Sequence, residues 1–208
     1  MGALTVKNLR CVRGAVPIFE GVSLTLAAGT ALQVFGNNGT GKSTLLQVLA
    51  GLVPGEGEIV WVDETDTRQP LLPTQLVFQG HAVPLKPKLT VEENLIFWQR
   101  CYRGRADRPA LMGALETVGL TALGSEPAHV LSAGQRRRLG LARCLLAGRS
   151  LWLLDEPTAA LDRAGRALVA DVCCAHLAGG GFAIIATHDP IDVPAMQLTL
   201  APQDGECA

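Results

Sequence analysis

GNNGTGKST, residues 36–44, is the stretch that decides the fold. It contains the pattern G-x-x-x-x-G-K-[ST] and lies between an apolar segment at 31–35 and a helical pattern at 45–49. Glycines in such a loop let backbone N–H groups turn inward around an anion, and the N-terminus of the next helix adds the positive end of its dipole. The stretch therefore predicts a phosphate-binding loop between a buried strand and a helix.

Two side chains of this loop have distinct predicted roles. Lys42 is expected to reach the β- and γ-phosphates of a nucleotide, and the Ser43 hydroxyl is expected to bind Mg²⁺. ATP and Mg²⁺ are thus the expected ligands. The residues predicted to bind the nucleotide through this loop are Gly36, Asn37, Asn38, Gly39, Thr40, Gly41, Lys42, Ser43 and Thr44.

A second motif, LWLLDEP at residues 151–157, is an apolar strand that ends in two carboxylates. Alone, a surface acidic turn after a core strand would explain it, but the phosphate loop upstream favours the Walker B layout. Neighbouring strand residues point to opposite faces, which predicts Asp155 toward Mg²⁺ and Glu156 toward the γ-phosphate and a water molecule. Glu156 is the candidate general base.

LSAGQ, residues 131–135, opens a helix with a Ser-x-x-Gln capping box. An ordinary helix start would explain it alone, yet beside a phosphate loop its positive dipole end suits a phosphate. His188 follows the apolar run at 182–187, at the end of a strand where ligands lie in parallel sheets. A buried structural histidine is therefore the weaker interpretation of His188, whereas His129 and His176 are interpreted as structural.

The order of patterns predicts an α/β fold. The first 35 residues are strand-rich, the middle of the chain is helical, and the last third alternates strand and helix. At 208 residues the chain has the length of one domain, 1–208. The predicted strands are 22–26, 31–35, 58–62, 76–78, 150–155 and 182–187; the predicted helices are 45–49, 90–101, 110–118, 133–147 and 163–177.

Five ordered motifs resemble the ATP-binding-cassette (ABC) family: the phosphate loop, LSAGQ, LLDEP, Ala-Leu-Asp at 160–162 and Thr-His-Asp at 187–189. The resemblance implies a parallel P-loop NTPase core with an N-terminal antiparallel β subdomain and a helical subdomain inserted at about 82–148. It implies that the signature of one copy, Ser132, Ala133, Gly134 and Gln135, closes over the phosphate loop of a second copy.

The same resemblance assigns further roles. His188 would contact the γ-phosphate beside Glu156, and Asp162 would lie across the dimer interface and link the two sites. Family members place a glutamine after the strand before the helical subdomain. Counting back from Leu89-Thr90 puts His81 there, with Gln79 two residues earlier, so both stay open for the metal and coupling role.

Two features narrow the resemblance. The N-terminal aromatic residue that stacks on adenine in the family is absent, and Arg13 is the candidate that stacks instead. LRCVR at 9–13, Gly80-His81 and LKPKLTVEENLIFW at 85–98 resemble the branch that serves haem delivery in cytochrome c maturation. The resemblance implies a peripheral subunit on the cytoplasmic face of the bacterial inner membrane, with integral membrane partners docking near residues 81–103.

Composition excludes several other functions. The net charge is −1 and the pI is 6.4, so the surplus of basic residues expected for nucleic-acid binding is missing. The sequence has neither a signal-peptide pattern nor a run of roughly 18 apolar residues. The six cysteines form no CxxC pair and are expected to be reduced. Cys173, Cys174 and His176 fit ordinary helix packing, so no direct haem binding is expected.

Alternative functions fit less well. A soluble cassette ATPase acting on chromosomes or ribosomes would carry a coiled-coil insertion or tandem cassettes, and this chain has room for neither. Its basic run at 136–138 is interpreted as a solvated or nucleotide-facing surface. A non-hydrolysing regulatory subunit would lack Glu156 or His188, and both are present. The ATPase subunit of another ABC exporter stays open.

Overall fold

The computed structural model describes residues 2–14, 16–63 and 65–201, and it contains two sheets. Cys207 lies outside the described residues. The strands in chain order are β1 (Ala3–Arg13), β2 (Val16–Ala27), β3 (Ala31–Phe35), β4 (Glu56–Val62), β5 (Arg68–Pro70), β6 (Leu76–Gln79), β7 (Leu151–Asp155), β8 (Phe182–Ala186) and β9 (Ala195–Thr199). The helices are α1 (Lys42–Leu49), α2 (Val91–Arg103), α3 (Arg108–Thr117), α4 (Ala133–Ala147) and α5 (Arg163–Ala178).

The first sheet is antiparallel and has the strand order β2-β1-β4-β5. Leu4 of β1 pairs with Leu26 of β2 and with Trp61 of β4. Along β1 the apolar side chains Leu4, Val6 and Leu9 are buried, whereas the charged side chains Lys7 and Arg10 are exposed. This alternation is typical of an antiparallel sheet with one face on the core. The predicted N-terminal antiparallel sheet is confirmed.

The second sheet is parallel, with the strand order β6-β7-β8-β3-β9. All five residues of β7 and all five of β8 are buried, which explains why these strands are continuous apolar runs. The carboxyl ends of parallel strands share one edge of the sheet. Consequently the loop after β3, the acidic pair at the end of β7 and the Thr-His-Asp segment after β8 lie at the same edge.

Layers cover both faces of the parallel sheet. Leu151 and Leu153 of β7 belong to an apolar cluster with α1 and the antiparallel sheet, whereas Trp152 and Leu154 belong to a cluster with α2 to α5. Burying a side chain of this size stabilises a fold by about 1.5–3 kcal/mol. Both clusters therefore fix β7, the strand that ends at Asp155.

Helix α1 starts three residues earlier than the predicted 45–49, at Lys42, and α4 matches the predicted 133–147. Helices α2, α3 and α4 lie in the chain between β6 and β7. The predicted capping box of Thr90 is present: its hydroxyl accepts from the Glu93 N–H at 3.1 Å, and the Glu93 carboxylate accepts from the Thr90 N–H at 2.8 Å. Within the described ranges, no helix has the length and apolar character to cross a membrane.

Candidate functional site

The phosphate loop joins β3 to α1, and the start of α1 offers free backbone donors. The residue before the helix, Gly41, has a φ of 95°, and no side chain caps the helix or places an acid in its first turn. A Cβ at Gly41 would lie 2.7 Å from the Ile18 side chain, so both conformation and space require glycine. Uncapped N–H groups with no nearby acid suit an anionic ligand.

Two polar side chains of the loop already have defined partners. The Lys42 ammonium donates to the carbonyls of Gly36 at 2.7 Å and Asn37 at 3.2 Å. The Ser43 hydroxyl donates to Oδ1 of Asp155 at 3.0 Å. Hydroxyl and carboxylate oxygens are the donors that Mg²⁺ prefers, and here they are neighbours at the mouth of the loop. The residues present therefore fit a magnesium ion.

Glu156 does not belong to the strand that precedes it. Strand β7 ends at Asp155, and Glu156 adopts a φ of 51°, in the left-handed region. Its N–H donates to the Ala186 carbonyl at 2.9 Å, which holds the turn against β8. The prediction that Asp155 and Glu156 point to opposite faces of a strand is therefore wrong, because the backbone turns between them and both side chains line one cleft.

His188 lies beside Glu156, with its Nε2 atom 3.3 Å from Oε1 of the carboxylate. The Glu156 side chain is 19% exposed and that of His188 is 48% exposed. Among the described residues, Glu156 Oε1 is a buried atom that accepts no hydrogen bond. A buried oxygen of this kind needs a donor, and a water molecule or ligand in the cleft would supply it.

These residues line one open cleft of about 510 Å³, which we call the loop cleft. Arg13 and His81 lie on its wall with the phosphate loop, the acidic pair and His188. Gly36, Asn37 and Thr40 belong to the loop but do not line the cleft. The Thr40 hydroxyl stabilises the loop by donating to the Asn37 carbonyl at 2.9 Å. The site residues that line the cleft are Arg13, Asn38, Gly39, Gly41, Lys42, Ser43, Thr44, His81, Asp155, Glu156 and His188.

A second cleft of about 500 Å³ lies at the start of α4, and we call it the signature cleft. The Ser132 hydroxyl accepts from the Gln135 N–H at 3.2 Å, and the Gln135 side chain accepts from the Ser132 N–H at 2.8 Å. Asp162 caps α5 by accepting from the Gly165 N–H at 2.8 Å. Ala133 and Gly134 line the cleft with these residues.

The loop cleft and the signature cleft have no lining residue in common. Within one chain, Ser132 is therefore not brought to the pocket that contains Lys42. The predicted site residues form two groups rather than one. Each cleft is open to the surface, where a second molecule can reach it.

Gln79 and His81, which the sequence leaves as alternatives, have different surroundings. Gln79 is 2% exposed, and its Oε1 atom accepts from Nη2 of Arg143 at 3.0 Å. Gly140 of α4 packs against it so closely that a Cβ there would lie 2.7 Å from Gln79 Oε1. His81 is exposed and lines the loop cleft. Gln79 thus fastens β6 to α4, while His81 faces the cleft.

Sequence reasoning missed the burial of Arg137, the middle residue of the basic run at 136–138. It is 9% exposed, so the expectation of a solvated or nucleotide-facing side chain is wrong for this arginine. Its Nη1 atom donates to the Gly80 carbonyl at 3.5 Å. Burial lowers the pKa of Arg137, and the nearby Asp155 and Glu156 carboxylates oppose that shift. Helical spacing to the buried Gly140 and Leu141 was the available signal.

The other histidines have structural partners. His176 stacks on Trp152 with ring centroids 3.9 Å apart, and its Nε2 lies 3.1 Å from the Ser150 carbonyl. Burial lowers the pKa of His176. The Nδ1 atom of His129 lies 3.2 Å from the Pro87 carbonyl. Both rings contact backbone of their own chain.

The five described cysteines are free thiols. Burial raises the pKa of Cys144 to about 11 and that of Cys173 to about 12, which makes both poor nucleophiles and metal ligands. In the part of the chain that the structure describes, no three His, Cys, Asp or Glu side chains are grouped so as to hold a metal ion. Cys173, Cys174 and His176 therefore form no such cluster.

Comparison with known proteins agrees with this geometry. The family "ABC transporter" matches residues 19–159. The cytochrome c biogenesis ATP-binding export protein CcmA of Nitrobacter hamburgensis is 45% identical over 95% of this chain and 97% of that protein. The protein of the same name from Cereibacter sphaeroides is 47% identical over 98% of this chain and 91% of that protein.

Solved structures have the same fold. A putative ABC transporter ATP-binding protein from Pyrococcus furiosus superposes with a TM-score of 0.83 at 25% identity, covering 95% of this chain and 97% of that one. An ATP-binding cassette of an ABC transporter in its ADP conformation gives a TM-score of 0.76 at 23% identity, covering 91% and 82%. The second likeness concerns the fold alone. The predicted α/β P-loop architecture is confirmed.

Proposed function

Because this chain belongs to the ABC transporter family, and within it to the cytochrome c biogenesis ATP-binding export proteins, we propose that it is a Mg²⁺-dependent, transport-coupled ATPase that works as a dimer. As a member of this family, the chain binds ATP and is an ABC-type ATPase. We further propose that it needs Mg²⁺, pairs with a second copy, docks membrane partners and serves a specific cargo. The whole chain would act as one ATP-binding domain, with a helical subdomain at about 82–148.

One observation carries the dimer. The phosphate loop and Glu156 lie in the loop cleft, whereas Ser132 and Asp162 lie in a separate cleft of the same chain. We therefore infer that a nucleotide held in the loop cleft of one chain would meet the Ser132 of a second copy. Two identical chains related by a twofold axis would satisfy both clefts at once, since each patch meets its complement on the other subunit.

The residues of the loop cleft suggest how hydrolysis proceeds. On ATP binding, Lys42 would exchange its bonds to the Gly36 and Asn37 carbonyls for the β- and γ-phosphates. Bound by Ser43 and Asp155, Mg²⁺ would offset the negative charge of the phosphate oxygens during transfer. These contacts would hold the γ-phosphate in place for attack by water.

Glu156 and His188 would act on that water molecule. The unsatisfied Oε1 of Glu156 would accept a hydrogen bond from the water and take its proton as the water oxygen attacks the γ-phosphorus. The bond between the γ-phosphorus and the bridging oxygen would break at the same time, so that ADP leaves and inorganic phosphate forms. His188, 3.3 Å from this oxygen, would orient the carboxylate and contact the γ-phosphate. Asp162 would link the two sites across the dimer, and the partner copy would add Ser132 and the start of α4.

We propose that the energy of hydrolysis serves haem delivery or export in cytochrome c biogenesis, as the relatives' name and the sequence resemblance suggest. The chain would sit on the cytoplasmic face of the bacterial inner membrane and dock integral membrane subunits near residues 81–103. It would bind neither nucleic acid nor haem itself. A net charge of −1 supports the first of these two points.

The test of the ATPase is phosphate release as a function of protein concentration, with Mg²⁺ and with a chelator. Turnover per chain should rise with concentration as dimers form and should vanish without the metal. Full activity at concentrations where the chain is monomeric would contradict the dimer mechanism. So would failure of any crosslink between the Ser132 and Lys42 regions of two molecules in ATP.

The cargo needs a separate experiment. A tagged chain captured from detergent-solubilised membranes should bring down cytochrome maturation proteins, and the purified chain should show no haem absorbance band after incubation with haem. Recovery of a different permease would replace the proposed cargo but leave the ATPase assignment standing. A haem band would show direct binding, against the proposal.

A further inference from the structure

An ion pair connects the start of α5 to the segment that carries His188. The Arg166 guanidinium donates from Nη1 to Oδ2 of Asp189 at 2.8 Å, and Asp189 directly follows His188. Arg166 itself lines neither the loop cleft nor the signature cleft. We propose that Arg166 is a positioning residue that acts through Asp189 to hold His188 beside Glu156 and to link this contact to the start of α5. The inference rests on the proposed ATPase function.

The segment around His188 is fastened to β3 at both ends. The Thr187 N–H donates to the Val34 carbonyl at 3.1 Å. At the other end, Gln33 is 3% exposed, and its side chain makes two bonds to the backbone of Ile191. Its Oε1 atom accepts from the Ile191 N–H at 2.9 Å, and its Nε2 atom donates to the Ile191 carbonyl at 2.8 Å. Because β3 leads into the phosphate loop, these bonds fix both ends of the segment relative to that loop.

The middle of this segment is held from α5. Among the described residues, Arg166 is the one whose side chain forms an ion pair with Asp189. The side chains of Arg166 and Asp189 are 49% and 60% exposed. Exposed ion pairs contribute little to stability and are easily broken by water, unlike the buried bonds of Gln33. The pair can therefore adjust to the position of α5 while the ends of the segment stay on β3.

Both ends of this link reach parts of the proposed mechanism. Asp162 lines the signature cleft, and its carbonyl accepts from the Arg166 N–H at 2.9 Å, so the two residues share one helical turn. At the far end, Nε2 of His188 lies 3.3 Å from Oε1 of Glu156. A misplacement of about 1 Å at a reacting group can cost about 100-fold in rate. A partner copy that contacts Asp162 would therefore influence the position of His188 through Arg166.

A second arginine of α5 provides a matched control. Arg163 is the first residue of the helix and is exposed like Arg166, and within the described ranges no acid is paired with it. Replacing either arginine by glutamine removes one positive charge from the first two turns of the same helix. Only Arg166→Gln also removes the ion pair with Asp189. A difference between the two variants therefore reports on that pair rather than on the charge of the helix.

The experiment compares Arg166→Gln, Arg166→Lys and Arg163→Gln with the unaltered chain in steady-state ATP hydrolysis with Mg²⁺. We expect Arg166→Gln to lower kcat by about tenfold, a loss typical of removing a residue that orients a reactive group. KM for ATP should stay within about twofold, because no nucleotide contact is lost. Arg166→Lys should retain most of kcat, since one bond to one carboxylate oxygen needs no planar fork, and Arg163→Gln should be near normal. Equal kcat values for Arg166→Gln and either of the other two variants would overturn the proposal.

A double substitution tests the route through Asp189. Asp189→Asn alone should lower kcat at least as much as Arg166→Gln, because it breaks the same ion pair. In a chain that already carries Asp189→Asn, adding Arg166→Gln should lower kcat by less than about threefold, since the effects of paired residues are not additive. A further loss of about tenfold would show that Arg166 acts by another route, against the proposal.

Thermal unfolding separates positioning from stability. Because an exposed ion pair stabilises a fold little, Arg166→Gln should melt within about 3 °C of the unaltered chain. If Arg166→Gln does not fold, Asp189→Asn takes its place: a loss of about tenfold in kcat supports the proposal and a normal kcat overturns it. If the unaltered chain hydrolyses ATP and Glu156→Gln does not, the proposed function stands whatever Arg166 does. If the unaltered chain is inactive with Mg²⁺ at high concentration, the proposed function itself has failed.

Discussion

The loop cleft and the signature cleft have nearly equal volumes, about 510 and 500 Å³, but their polar groups differ in whether the protein supplies their hydrogen-bond partners. In the loop cleft, α1 begins without a side-chain cap, and Glu156 Oε1 is buried without a hydrogen bond from the described residues. In the signature cleft, Ser132 caps α4 and Asp162 caps α5. Among the described residues, the loop cleft thus contains polar groups without a hydrogen-bond partner, whereas the helix starts of the signature cleft are capped by their own side chains.

This difference indicates what each cleft does in the proposed dimer. Uncapped N–H groups at the start of α1 suit an anionic ligand, so the loop cleft is the one expected to capture nucleotide. The Ser132 hydroxyl accepts a hydrogen bond inside its own helix but retains its proton for donation. The signature cleft can therefore recognise a nucleotide already bound elsewhere without reorganising its helix.

The largest expected effect belongs to Glu156, the acid of the loop cleft. Glu156→Gln should lower turnover by roughly 10²- to 10⁴-fold, because a proton acceptor is lost while shape is kept. ATP should still bind and hold the dimer closed, which size-exclusion chromatography in ATP would detect. Hydrolysis near the normal rate would show that Glu156 is not the general base. The proposed difference in function between the two clefts would then lose its main support.

A complementation experiment tests whether the two clefts act in different molecules. Lys42→Ala damages only the loop cleft, and Ser132→Asp adds a negative charge to the signature cleft while keeping a good helix cap. Each variant alone should lose about 10²- to 10³-fold in turnover, as when an anion-binding donor is lost. A mixture should regain up to about a quarter of the normal rate, since half of randomly paired dimers contain one intact site.

The control for this mixture is Lys42→Ala alone at the same total protein concentration, because its dimers contain no intact site. Phosphate release would be measured at matched total protein. Full turnover by the Ser132→Asp chain alone would show that the signature cleft takes no part. A mixture no more active than its components would show that each chain needs both clefts intact.

Gln79 and His81 can be compared directly, because Gln79 is buried and only His81 lines the loop cleft. His81→Ala should lower turnover about tenfold with little change in stability, because His81 is exposed and lines the cleft. Gln79→Ala should cost about 1–3 kcal/mol of unfolding free energy, since Arg143 loses a buried acceptor. Urea unfolding and steady-state turnover of both variants decide the question. The reverse result would assign the coupling role to Gln79.

Arg13 should give the smallest effect. Stacking of its guanidinium on adenine would contribute about 0.5–2 kcal/mol, so Arg13→Ala should weaken ATP binding several-fold without changing turnover at saturation. Fluorescent nucleotide titration measures the affinity, and Arg13→Lys serves as the control that keeps the charge but loses the planar group. Unchanged affinity in Arg13→Ala would leave the loop cleft without a base contact from this residue.

The elements that the sequence predicts well are those with local causes. The glycine spacing of residues 36–44 predicts the start of a helix. The capping-box pattern of Ser132 and Gln135 predicts the first residue of α4 correctly. The buried strands at 151–155 and 182–186 follow from apolar runs. Strand order, by contrast, depends on contacts across the chain, and nothing local indicates that β3 pairs with β8 and β9.

The candidate site was predictable in its residue types but not in its local geometry. Spacing identified Lys42, Ser43 and Asp155, and the structure brings the last two within 3.0 Å. The left-handed turn at Glu156 was not predictable, since glutamate has no preference for it. Burial of Arg137 depends on contacts with distant parts of the chain, such as its bond to the Gly80 carbonyl. A charge run reveals composition but not which member faces inward.

The turn at residue 156 places a glutamate where glycine or asparagine would suit the backbone better, at a cost of about 1–2 kcal/mol. An inactive chain with asparagine at this position would gain back part of that energy. Thermal stability and ATP turnover therefore place opposite demands on residue 156. Engineering for thermal stability alone would tend to replace Glu156 and so remove the ATPase activity. Screens for hardier versions of this protein should therefore select on phosphate release as well as on survival.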